Sequence, residues 1–218
     1  MTKLSRRGFL GSLAGSSAGF LTAVTLPKAA FAADQAPQKW DQTVDLLVVG
    51  AGGAGLASAV SAAQHGVKNI VVLEKMPFFG GNTSISGGGF NSVDPVRQGK
   101  QKIKDSPELH ARQTIAGGDG RANPELVKTM TANSYDAIKW LQDMGMKFKD
   151  DVYQIYGGLY PRCHAPYGSL GSDYIKVLKP QCDKEGINIL TNSRVVRIFR
   201  ENQLSGKVLG VEYVDKDG

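Results

Sequence analysis

The sequence predicts an α/β fold, with a central parallel sheet joined by a crossover helix and a β-meander following it. Three observations predict this. "VDLLVV" (residues 44–49) and "IVVL" (residues 70–73) are short β-branched and leucine runs, and such near-continuous apolar character marks strands buried on both faces. Between them lie a glycine turn and an Ala-rich stretch that supplies the crossover that parallel strands require. Near the end, "GINILTNSRVVRIF" and "KVLGVEYV" cluster or alternate apolar residues as two further strands.

Taken in order, residues 1–32 carry a basic start, a weakly apolar stretch diluted by Gly, Ser and Ala, and a small-residue site at Ala30-Phe31-Ala32. That is the pattern of an export signal. Ser5-Arg6-Arg7-Gly8-Phe9-Leu10 fits the twin-arginine motif up to Gly11, which stands where that motif has lysine. A twin-arginine signal peptide is therefore expected, with a periplasmic destination. The stretch from Gly8 to Leu26 is too short and too weakly apolar for a stable membrane span. Residues 33–43 read as a polar linker, and residues 44–218 as one domain.

In that domain a helix is expected from Ala54 to His65, closed by Gly66. Met76 to Val93 reads as glycine-dense turn. Ser106 caps a helix with Pro107 in its first turn, and Asn123-Pro124-Glu125 opens another that runs to Met144. Leu126, Val127, Met130, Ala137, Ile138, Leu141 and Met144 form its expected core stripe. Leu159 to Ser172 reads as a loop. A helix follows from Asp173 to Lys184, which Pro180 should kink or shorten. The last residues, Asp215-Lys216-Asp217-Gly218, are a turn signal with no strand after it, so the domain is expected to be incomplete at its C-terminus.

Charge and composition exclude several functions. Residues 1–32 hold Lys3, Arg6, Arg7 and Lys28 without an acid, leaving 22 basic against 20 acidic residues in the remainder. That balance lacks the basic patch of a nucleic-acid binder, and Lys100 to Lys104 reads as a solvated segment. His65, His110 and His164 have no ligand-like spacing, so no metal is expected. Without a Cys-x-x-Cys-His there is no haem on this chain. Cys163 and Cys182 are compatible with one disulfide or with two free thiols.

The chemistry is carried by glycine. Gly50-Ala51-Gly52-Gly53-Ala54-Gly55 fits G-x-G-x-x-G and leaves a strand to enter a helix, the setting of a Rossmann-like dinucleotide site. Gly50 suits the tight turn, Gly52 the approach of a pyrophosphate, and Gly55 close packing of helix on strand. Glu74 ends the second strand, where its carboxylate suits a ribose 2′-hydroxyl and repels a 2′-phosphate. Beyond Lys75, a second small-residue segment follows, Phe79-Gly80-Gly81-Asn82-Thr83-Ser84 and then Ser86-Gly87-Gly88-Gly89-Phe90-Asn91. Its backbone amides can lie against a large planar ring, which favours FAD over a nicotinamide cofactor.

These segments, with "DSPELHARQTIAGG", "NPELVKTMTANSYDAIKWLQDMGMKF" and "RCHAPYGS", resemble the flavoprotein family of fumarate reductase and succinate dehydrogenase. The resemblance is nearest to its soluble periplasmic branch of flavocytochrome c fumarate reductases and urocanate and acrylate reductases, and covers only the N-terminal part of that family's chain. It implies an FAD-dependent oxidoreductase that reduces the C=C bond of an unsaturated carboxylate, fed by a separate donor such as a c-type cytochrome. By the resemblance, Gly50, Gly52, Gly53, Ala54 and Gly55 face the diphosphate, and Glu74, with Lys75 beside it, the adenosine ribose. Gly81, Asn82, Thr83, Gly88 and Gly89 line the ribityl chain and flavin, and the backbone of Val195 meets adenine.

Asn82 stands where membrane-bound relatives tether the flavin through histidine, so noncovalent FAD is expected. The family's proton-donating arginine and carboxylate clamp come later in its chain, so the catalytic residues are unknown and the segment alone is expected to be inactive. Arg162 and His164 read as loop-ordering residues, and Lys75 and Arg97 as surface charges. A flavin dehydrogenase or oxidase of the same fold, or a non-catalytic dinucleotide-binding fragment, are the alternative readings.

Overall fold

The computed structural model describes residues 36–168, 170–202 and 205–216; the expected signal peptide and residues 33–35 of the expected linker lie outside them. Strand β1 (Leu46–Val49), helix α1 (Gly53–Gln64) and strand β2 (Ile70–Leu73) form the expected crossover unit. β1 pairs in parallel with β2, Leu46 opposite Ile70 and Val49 opposite Leu73. β2 pairs in parallel with β6 (Asn188–Leu190), giving the order β1-β2-β6. The central strand β2 is buried throughout. Among the described residues β1 is an edge strand of this sheet, half-buried rather than covered on both faces as its composition suggests, with Val49 56% exposed.

Helix α6 (Ser172–Lys184) packs on α1, and Leu56, Ala59 and Val60 of α1 share one core with Ile175, Leu178 and Cys182 of α6. α6 runs through Pro180 to Lys184 without being cut short. Cys163 and Cys182 are both buried free thiols. Burial pushes the Cys182 thiol up to about 11.

A second sheet is antiparallel, in the order β3 (Phe90–Asn91), β5 (Cys163–Pro166), β4 (Phe148–Tyr153). Two of these strands and one short helix stand where turns and loops are expected. Helix α2 (Gly81–Ile85) and β3 lie inside the glycine-dense stretch and β5 inside the expected loop; α3 (Pro95–Lys100) begins just after the glycine-dense stretch, on an Asp94 cap. The Gln101 side chain exchanges hydrogen bonds with both the N–H and the C=O of Val152, so an amide side chain stands in for a neighbouring strand beside β4.

Helices α4 (Pro107–Gly117) and α5 (Pro124–Asp143) open on Ser106 and Asn123, whose side chains accept from first-turn amides as their sequence positions require. The buried stripe of α5 is Val127, Thr131, Ser134, Ile138 and Leu141. Leu126 and Met130, expected in the core, are exposed. Two hydroxyl residues occupy the inward positions instead, and Ser134 Oγ donates to the Thr131 carbonyl within the helix.

The expected strand "GINILTNSRVVRIF" divides into β6 and β7 (Arg194–Asn202), and β7 pairs antiparallel with β8 (Ser205–Val214). Among the described residues this hairpin is the counterpart of the expected meander. Trp40, in the segment read as linker, lies edge-on to Phe199 of β7 with ring centroids 5.6 Å apart.

At Gly55 the fold leaves no room for a side chain, because a Cβ there would lie 1.9 Å from the Gly50 carbonyl oxygen. Gly55→Ala should therefore push α1 off β1 and cost about 1–3 kcal/mol, measured as a lower midpoint in thermal unfolding.

Candidate functional site: two interlocked glycine segments

Gly50 ends β1 with φ +98°, a left-handed conformation that favours glycine, and its N–H donates to the Leu73 carbonyl at 2.7 Å. The chain then turns at Gly52, the N-terminal cap of α1. The glycine cap offers no side chain to its own helix, and no acidic residue sits in the first turn. First-turn amides without intrahelical partners, together with the helix dipole, make such an end receptive to an anion. Gly53 N–H is met by Thr83 Oγ1 at 3.1 Å.

The second glycine segment docks on the first. Gly80 N–H donates to the Ala51 carbonyl at 2.7 Å, and Gly52 and Gly80 form a parallel bridge. The buried Glu74 carboxylate holds the same junction: Oε2 accepts from Ala51 N–H and Oε1 from Met76 N–H, both at 2.8 Å. Each carboxylate oxygen has a second lone pair, so a ribose hydroxyl can be added without displacing either amide. Ser193 N–H donates to the Glu74 carbonyl at 2.8 Å, which brings the start of β7, and Val195 two residues on, to this end of the sheet.

A cavity of about 370 Å³ opens between the glycine segments and the helices. Gly53, Ala54, Thr83, Gly88 and Gly89 line one side; Trp140 and Leu141 of α5 and Tyr174 and Leu178 of α6 are on another. Ligand pockets span roughly 300–1,000 Å³, so this cavity has room for part of a dinucleotide. Tyr174 Oη donates to the Gly88 carbonyl at 2.7 Å, and burial raises its pKa, keeping the hydroxyl a donor.

The structure thus gathers Gly50, Gly52, Gly53, Ala54 and Gly55 with Glu74, Thr83, Gly88 and Gly89. Of these, Gly53, Ala54, Thr83, Gly88 and Gly89 line the cavity, and Gly50, Gly52, Gly55 and Glu74 build the turn beside it; Lys75, Gly81 and Asn82 are exposed outside the lining, Gly81 directly against Gly52. Ser86 and Phe90 of the second glycine segment also line it, and the sequence reading missed Trp140 and Tyr174. On α5 and α6 those two aromatics read as core packing.

Beneath this wall lies a buried polar cluster. Asp94 caps α3 by accepting from the N–H groups of Val96 and Arg97. Its other oxygen takes Arg97 Nη1 at 2.8 Å and His164 Nε2 at 3.0 Å. Arg97 is thus largely buried and ion-paired, not the surface charge its composition suggests. Burial alone would raise the Asp94 carboxyl, but the Arg97 and His164 bonds outweigh it and hold it below the usual carboxylate range. Arg162 grips Asp105 with two nitrogens, at 2.8 and 2.7 Å, and Gln113 with the third. Arg162 and His164, at the start of β5, thus tie that strand to Asp105, Gln113 and Asp94. Among the described residues, no three His, Cys, Asp or Glu side chains are grouped to hold a metal, and no helix is long and apolar enough to cross a membrane.

Two glycine segments locked together at the carboxyl end of a parallel sheet, over a helix that opens on glycine, define a dinucleotide-binding domain. Residues 45–218 match the family described as an FAD binding domain, and the chain belongs to it. It is 36% identical over 171 residues to the fumarate reductase (cytochrome) of Shewanella frigidimarina, covering 78% of this chain and 29% of that one. Against the acrylate reductase flavoprotein subunit of Shewanella woodyi it is 30% identical over 218 residues, covering 98% of this chain and 42% of that one. A solved flavocytochrome c3 fumarate reductase, in an open conformation, superposes with TM-score 0.70 at 32% identity, covering 80% of this chain and 32% of that one. The resemblance to fumarate reductase flavoproteins is borne out, and the chain spans less than half the length of these relatives.

His110 of α4 is buried and its Nδ1 has no hydrogen-bond partner among the described residues. Burial lowers its pKa, the Arg162 charge lowers it further, and Asp105 partly opposes this. The folded protein thus favours the neutral ring. The stability this gives is complete above the ordinary histidine pKa of about 6.5 and is lost as pH falls through the lower folded value. His110→Leu should flatten denaturant-measured stability below pH 6.5 and, by removing an unpaired polar atom, leave stability at pH 8 equal or up to about 1 kcal/mol higher.

Proposed function

We propose that this chain holds FAD for an exported reductase that saturates the C=C bond of fumarate or a related unsaturated carboxylate. One observation carries the reading: two glycine-rich backbone segments interlock over the N-terminus of α1, whose cap residue is Gly52. Those residues fit FAD. In this assignment Gly50, Gly52, Gly53, Ala54 and Gly55 receive the diphosphate, and Glu74, with Lys75 beside it, the adenosine ribose. Gly81, Asn82, Thr83, Gly88 and Gly89 face the ribityl chain and ring, and the Val195 backbone meets adenine. When bound, FAD supplies hydride chemistry to one carbon of the double bond.

The relatives' names support the substrate class, since one is a fumarate reductase and another an acrylate reductase. A separate donor, such as a c-type cytochrome, would deliver electrons. The Ser5 to Leu10 motif supports twin-arginine export to the periplasm, a route that carries folded protein and so permits cofactor uptake before transport.

Two outcomes are expected. The intact holoprotein should oxidise reduced viologen in the presence of fumarate or another enoate; no dye oxidation across a panel of enoates overturns the reductase reading. Asn82 offers no imidazole to bond the flavin, so trichloroacetic acid should leave the yellow colour in solution. A coloured pellet would show a covalent link.

A further inference from the structure

We infer that His164 and Asp94 form a positioning pair for the flavin wall, an inference that rests on the FAD reading above. Phe90 lines the cavity directly after Gly88 and Gly89, and it pairs with His164 across β3 and β5. His164 is wholly buried. Its Nδ1 lies 3.1 Å from both the Phe90 and the Arg162 carbonyls, and its Nε2 lies 3.0 Å from Asp94 Oδ2. Carbonyl and carboxylate oxygens accept and do not donate, so both ring nitrogens face acceptors and the ring bridges the two sides.

One ring therefore ties the Phe90 carbonyl at the cavity wall to a carboxylate that is itself fixed. Asp94 cannot swing away: its Oδ1 is held by two first-turn amides of α3 and its Oδ2 by Arg97. Arg97 in turn donates Nε to the Lys149 carbonyl at 2.9 Å, anchoring the assembly to β4. The Phe148 ring stands edge-on to the imidazole, with centroids 6.0 Å apart, and closes its remaining side. Because the Gly88 and Gly89 backbone has no side chains of its own to pack, its place depends on this strut below and on Tyr174 Oη, which donates to the Gly88 carbonyl. Neither His164 nor Asp94 touches the cavity; they act through the backbone of Phe90.

The test uses the intact holoprotein and two substitutions at His164. His164→Gln can keep a donor toward Asp94 while releasing the Phe90 carbonyl, and His164→Phe keeps ring volume but loses both ring nitrogens. Arg162→Lys is the comparison: it disrupts the buried pair with Asp105 without removing the imidazole. Binding of FAD is measured by quenching of flavin fluorescence, together with the visible spectrum and midpoint potential of the bound flavin.

Both His164 variants should bind FAD about tenfold more weakly, with a shifted visible band and potential. Arg162→Lys should lower the thermal midpoint yet leave these flavin readouts unchanged. Wild-type affinity, spectrum and potential in His164→Gln would overturn the pairing role, as would equal flavin changes in Arg162→Lys. If the unsubstituted protein binds no FAD, the flavin reading itself fails, an outcome separate from these.

Discussion

Two stretches of main chain, about thirty residues apart, must meet within hydrogen-bond distance with no side chain between them, and the rest of the site is arranged around that contact. The Gly80 amide on the Ala51 carbonyl is its centre. It forms only because Gly50 turns the chain through a positive φ and because Gly55 lets α1 sit against the turn. The Glu74 carboxylate then holds both halves by their amides, satisfying donors that would otherwise be stranded near the sheet end. Its burial is offset by those charge-assisted bonds, and the spare lone pairs remain for a ligand.

Behind this contact the protein spends its buried polar groups on geometry. Asp94, His164, Asp105, Arg162 and Gln98 lie almost fully inside, each engaged by at least one hydrogen bond. Buried ion pairs contribute little net stability against an apolar replacement, because desolvation consumes most of the attraction. What they supply is direction. Arg162 orients the segment before α4 and α4 itself through Asp105 and Gln113, and His164 orients Phe90, whose segment forms the cavity wall.

Much of this was legible in the sequence, because it is written in local signals. The crossover unit follows from two apolar runs around a glycine turn, and α4 and α5 from Ser106 and Asn123 followed by proline. What was not legible depends on distant partners. β4 reads "FKDDVY", four polar or charged residues out of keeping with a buried strand, and its edge is completed by the side chain of Gln101. β5 contains a histidine and a proline, and its register is set by Asp94 some seventy residues earlier. The Asp94-Pro95 pair did carry a helix-start signal that the glycine-rich surroundings obscured. On α5 the apolar residues nearest the stripe drew the predicted face one position round, toward Leu126 and Met130, whereas the true face accepts two hydroxyls. In the site, the glycines announce backbone approach, but nothing local announces that Trp140 and Tyr174 stand across the gap from them.

The two cysteines give the molecule an internal reporter of opening. Cys182 has no exposed surface, sits where α6 meets α1, and keeps its proton far above neutral pH. Thiol reagents attack the thiolate, so an alkylating agent meets an unreactive, inaccessible sulfur for as long as those helices remain together. The rate at which it becomes labelled is then a clock for separation of the helices that flank the glycine turn, readable by mass spectrometry without introducing any probe.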